Sequence, residues 1–163
     1  MTTTYFKTLY DYSYHMHHRL WESIMSLSEE QFIRPSSHSI GSVHEQITHV
    51  MDAEETWLRR LHGEEPPYHT VHDYPTRESI RAAWDKVEQG LRSYVNNLTE
   101  ARLNEQLTYK RSNGESFSTP IWAVLLHVVN HGTDHRAQIM RQIHDMGGKT
   151  FAQDLIFYLR ENG

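Results

Sequence analysis

The chain contains no cysteine. That absence removes disulfide frameworks, thiolate nucleophiles and every Cys-based zinc site. No apolar run approaches the roughly 20 residues that a membrane-spanning helix needs. The opening stretch MTTTYFKTLYDY lacks the apolar segment of a signal peptide. The expectation is therefore a soluble, cytoplasmic protein with no membrane partner. Basic tracts are also missing. Lys and Arg number 16 against 21 Asp and Glu, a formal net charge of −5, which argues against a nucleic-acid groove. There are no internal repeats and no low-complexity tracts. What is abundant is histidine, 13 residues in 163, none in a terminal tag-like run. Such a count points towards metal chemistry or a pH response. A length of 163 residues suits one domain, 1–163, with a real core. Apolar content is modest at 37%, so aromatic side chains, nine of them Tyr, do much of the filling.

The histidines are most ordered between Thr119 and Met146. Thr119 reads as an N-cap with Pro120 at the first helical position, and Gly147-Gly148 as the stop. Within this helix His127, His131 and His135 recur every fourth residue. At about 100° per residue they share one face with Ile121, Val124, Leu125, Val128, Ile139 and Ile143. An imidazole in such an inward stripe must find a hydrogen-bond partner or a metal. One histidine alone there is ordinarily a satisfied core residue. Two neutral rings one turn apart, His131 and His135, can chelate a single ion. His127 lies about 12 Å along the axis from His135 and cannot easily reach the same ion. The site therefore needs a ligand from another helix.

The rest of the chain supplies the candidates. Tyr5 to Leu27 reads as a first helix, with Phe6, Leu9, Ser13, Met16, Leu20 and Ile24 at bundle spacing. His15, His17 and His18 point in different directions, so they cannot act as one chelate. Ser28 starts a short turn with Gln31 placed for a capping box, and residues 34–41 form a polar loop. Ser42 to His62 is a second helix with the stripe Val43, Ile47, Val50, Glu54, Trp57 and Leu61. His49 lies beside that stripe, an expensive place for an unpartnered ring. His44-Glu45-x-x-x-His49 is one residue too long for the H-E-x-x-H zinc motif, because the two rings diverge by about 140°. Glu45 and Asp52, each about a turn from His49, are possible acceptors behind it, with a solvated face the plainer reading. Residues 64–75 form a loop carrying His69 and His72. Arg77 to Leu98 is a third helix whose stripe of Ile80, Trp84, Val87, Leu91, Tyr94 and Leu98 makes it scaffold. Thr99 caps a short turn. Alternation on either side of Asn113-Gly114 predicts a small hairpin at one end of the bundle. Thr150 to Glu161 reads as a short terminal helix using Leu155, Ile156 and Leu159. The expected class is all-α, a four-helix bundle. The connections after the second and third long helices are long enough for a non-sequential helix order.

The pattern resembles the DinB family, within the DinB/YfiT-like metalloprotein superfamily. The resemblance covers essentially the whole chain. It rests on a histidine midway along the second helix, followed by E-x-x-W-L at Glu54-Glu55-Thr56-Trp57-Leu58. It rests more strongly on His127 to Ile139, H-V-x-N-H-x-x-x-H-R-x-Q-I. It implies a four-helix bundle with DinB-like topology, a homodimer, and a metal held by His49, His131 and His135, with His127 behind them.

Three imidazoles leave coordination positions open to water or substrate, the arrangement of a catalytic rather than a structural ion. Nitrogen-rich sites suit zinc, nickel, iron or copper. The ion would lower the pKa of a bound water or thiol. The resemblance implies, as the leading reaction, thiol S-transfer from a low-molecular-weight thiol to an electrophilic small molecule. Hydrolysis is the alternative enzymatic class. A non-catalytic metal-binding homodimer of a damage response, or a metal-free histidine core, stands beside both. Glu45 and His127 are the candidate general bases. A fourth protein ligand would favour a closed structural ion. Arg136 and Gln138 are expected to point away from the ion and hold neighbouring elements. Trp57, Trp84 and Trp122 are expected in the core, and Trp21 is the aromatic candidate for lining a pocket.

Overall fold

The computed structural model describes residues 1–36, 39–111 and 113–162. Part of the predicted polar loop, Ser37 and His38, lies outside them. Helix α1 spans Thr3–Met25, opened by Thr2, whose hydroxyl accepts from the Tyr5 amide. Its buried face includes Phe6, Leu9, Ser13, Met16, His17, Leu20 and Ile24. A short α2, Glu29–Ile33, has the expected Ser28/Gln31 capping box. Helices α3, Val43–Leu61, and α4, Arg77–Asn96, open with capping boxes of their own. These match the predicted spans to within two residues at each end, because caps and stripes are local signals. Gly63, at φ 76°, follows α3 in the left-handed region, as a helix stop does.

After α5, Glu100–Leu103, strands β1, Gln106–Lys110, and β2, Ser116–Pro120, pair antiparallel with Leu107 opposite Thr119. The turn closes through the Gly114 amide on the Arg111 carbonyl, with Gly114 at φ 87°. Here the helix start differs from expectation. Helix α6 runs Ile121–Asp145, and Pro120, with ψ 141°, occupies the capping position without a side-chain bond. Thr119 and Pro120 are held in the hairpin, and the Ile121 amide donates to the Glu105 carbonyl. Strand pairing thus satisfies residues that capping chemistry alone assigned to the helix. A final helix α7, Leu155–Asn162, starts five residues later than predicted.

Helices α1 and α3 each pack on both α4 and α6. Both pairs, α1 with α3 and α4 with α6, therefore sit on diagonals of the bundle. The diagonal steps are those after α1 and before α6; α3 and α4 are neighbours. The core is continuous through all four long helices, including Phe6, Leu20, Ile47, Met51, Leu91, Leu125 and Ile139. Packing of these faces, more than propensity, is what keeps helices of this length formed. Among the described residues no helix is long and apolar enough to cross a membrane.

Candidate metal centre

Helices α3 and α6 run antiparallel, so Gln46 and His49 on one meet His135 and His131 on the other. The spacing of four on α6 brings two imidazoles together, with ring centroids 4.4 Å apart and the planes tilted by 54°. His49 Nε2 comes within 3.3 Å of His131 Nε2, and its ring centroid is 4.8 Å from that of His135. One ring nitrogen from each of the three lies within 4.8 Å of the others. A tetrahedral ion with bonds of about 2.1 Å separates its ligand atoms by about 3.4 Å. The His49–His131 approach already matches that figure.

The protonation state favours ligation. Burial, then the neighbouring rings of His135, His49 and His127, push His131 down from 6.5 to about 4. Burial also lowers His49, with Asp52 opposing, and lowers His135 with help from His49. At neutral pH all three rings are free bases, as metal ligands must be. His135 is buried at 8% exposure, while the His49 side remains open.

The acceptor behind the site comes from a residue that the sequence reading did not single out. Gln46, 0% exposed, places Oε1 3.0 Å from His135 Nδ1. The signal was available: a polar residue at a buried phase of the α3 stripe, between Val43 and Val50. The two carboxylates considered for this role are engaged elsewhere. Glu45 accepts from the Ser42 amide at 2.7 Å and the Ser42 hydroxyl at 2.8 Å, and these bonds lower its pKa. It is the N3 partner of Ser42 in the α3 capping box. Asp52 accepts the His69 amide at 2.9 Å. His127 lies one turn along α6 with its ring 5.8 Å from that of His131 and 5.5 Å from Trp57. It is not within the three-residue group, and burial lowers its pKa. Trp57 in turn packs edge-on to Tyr109 at 5.0 Å. It is the tryptophan nearest the histidine row; Trp21 instead contacts Trp84 and Arg81.

The three histidines of α1 go elsewhere. His15 meets Tyr158 and His18 meets Glu88. His17 turns inward to 2% exposure, 4.4 Å from the Trp84 ring and 3.7 Å from a Glu54 carboxylate oxygen. Glu54 is itself 3% exposed and accepts from Tyr14 at 3.0 Å and Trp84 at 2.9 Å. Desolvation raises it to about 7, against the pull of those donors and Arg136. Arg136 points away from the three histidines, donating to Ser13, Thr133 and Gln153. Gln138 donates to Asp134 and meets Ser39. Gly132 leaves room for this packing, since a Cβ there would come within 3.3 Å of His17 and 3.4 Å of Arg136.

A helical bundle with an interhelical three-histidine group defines the class. The model of the DinB family matches residues 1–162, and the chain belongs to that family. Among solved structures it is similar to a conserved protein from Enterococcus faecalis, with a TM-score of 0.68 and 12% identity over 88% of this chain and 96% of that one. A DinB-like protein from Bacillus cereus gives 0.57 and 15% over 84% and 89%. These likenesses concern the fold. No curated protein matches the chain.

Proposed function

We propose that this protein is a metal-dependent thiol S-transferase. Its divalent transition ion, of the zinc, nickel or iron kind, would be held by His49, His131 and His135. The observation that carries the reading is the donor set: three neutral imidazoles converge, and neither His127 nor a carboxylate joins them among the described residues. Three protein ligands with an open side are the mark of a catalytic site. Nitrogen donors suit these ions over calcium or magnesium.

When bound, the ion supplies Lewis acidity that favours the thiolate form of a low-molecular-weight thiol. The chain's own residues do the rest. Gln46 orients His135, and the α3–α6 contact holds the three rings on one side. In this reading His127, deprotonated at neutral pH because burial lowers its pKa, takes the thiol proton. The sulfur then forms its bond to an electrophilic carbon as the leaving group departs with its electron pair.

The test is loss of free thiol and appearance of thioether when ion-loaded protein meets a small thiol and an alkylating electrophile. His127→Ala should slow the reaction and keep one ion per chain; His131→Ala should abolish both. Ion binding without thiol transfer above the protein-free rate would contradict this reaction and favour a structural ion.

A further inference from the structure

The Gln46 side chain has one described hydrogen bond, accepted by its Oε1 from His135 Nδ1. Its Nε2 is buried with no partner. A carbonyl oxygen only accepts, so this geometry requires the proton of His135 on Nδ1 and leaves Nε2 bare. Turning the amide over would present Nε2 as donor to Nδ1. The imidazole would then carry its proton on the other nitrogen and offer the centre no lone pair. Nothing among the described residues holds the amide in either orientation except His135 itself.

We infer that Gln46 is the positioning residue of the metal centre, and that its amide orientation and the tautomer of His135 form one two-position element. With oxygen towards the ring, His135 is ligand-ready; with nitrogen towards the ring, it is not. An ion on Nε2 selects the first orientation, and the first orientation favours the ion, as linkage requires. A side chain that can only accept at this point should be fixed in the ligand-ready state. An apolar one should lose the preference altogether. This inference rests on the metal site proposed above.

The experiment compares wild type, Gln46→Leu and Gln46→Glu by zinc competition against a chromophoric chelator. Nitrogen NMR of the His135 ring in the metal-free proteins gives the tautomer. The expected results are Nδ1–H in wild type and Gln46→Glu, and loss of that preference in Gln46→Leu. Zinc affinity should fall about 10–100-fold in the leucine variant and match or exceed wild type in the glutamate variant. Thermal melts confirm that each variant is folded, and recovery by glutamate separates an acceptor role from packing. Unchanged zinc affinity in Gln46→Leu, or a metal-free wild type protonated at His135 Nε2, would overturn the inference. Wild type that binds no zinc would instead overturn the metal site, while the tautomer still decides the role of Gln46.

Discussion

Replacing Glu54 by Gln should stabilise the protein, and only at high pH. The carboxyl sits in the core with Oε2 accepting from Tyr14 and Trp84, and burial raises its pKa from 4.5 to about 7. Holding that group ionised in the fold costs about 3 kcal/mol relative to the unfolded chain. The sign follows from proton counts. Between 4.5 and 7 the folded protein binds the extra proton, so this residue's contribution falls as pH rises through that window. An amide oxygen can accept the same two bonds and carries no charge. The opposing loss is an anion that attracts buried Arg136. The net expectation at pH 8 is a gain of about 1–3 kcal/mol, or a melting temperature higher by roughly 2–4 °C per kcal/mol. At pH 5 the difference should shrink below about 1 kcal/mol. Paired melts at the two pH values, followed by circular dichroism, read this directly. An equal gain at both, or a loss at pH 8, would refute the ionisation argument.

Other perturbations follow from the same contacts. Glu45→Ala should cost about 1 kcal/mol through loss of the carboxylate half of the α3 capping box, the bonds it accepts from Ser42, and leave metal affinity within twofold; a large loss of affinity would return Glu45 to the site. The histidines act on stability with a sign opposite to that of Glu54. With His131 at about 4, and His17, His49 and His135 also lowered, the metal-free unfolded chain binds the additional protons. Stability present above pH 6.5 should be lost as pH falls towards 4. A melting temperature that stays flat across that range in the metal-free protein would count against burial of these rings.

Local signals made most of this architecture legible. Ser28/Gln31, the stripe of α4 and Gly114 in the hairpin each act within a few residues, and each element appears where those residues place it. The spacing of His131 and His135 fixed their shared face for the same reason, and His49 stood out as a polar ring beside an apolar stripe. What depends on partners far along the chain was less visible. Thr119 and Pro120 read as a helix start until pairing with Leu107 and Gln106 claims them. Of the three clustered histidines on α1, the phase of Ser13 and Leu20 turns His17 inward, but its neighbours Glu54 and Trp84 come from two other helices. Gln46 was hidden by its type. Glutamine is ordinarily a surface residue, and only the α3–α6 contact reveals the imidazole it faces.

The central claim is that His49, His131 and His135 hold one ion. Elemental analysis of protein purified without an affinity tag or added metal, beside His49→Ala, tests it most directly. About one transition-metal ion per chain in wild type, lost in the variant, is the predicted result. No ion in either protein, with melting temperatures unmoved by added zinc, nickel or iron, would contradict it.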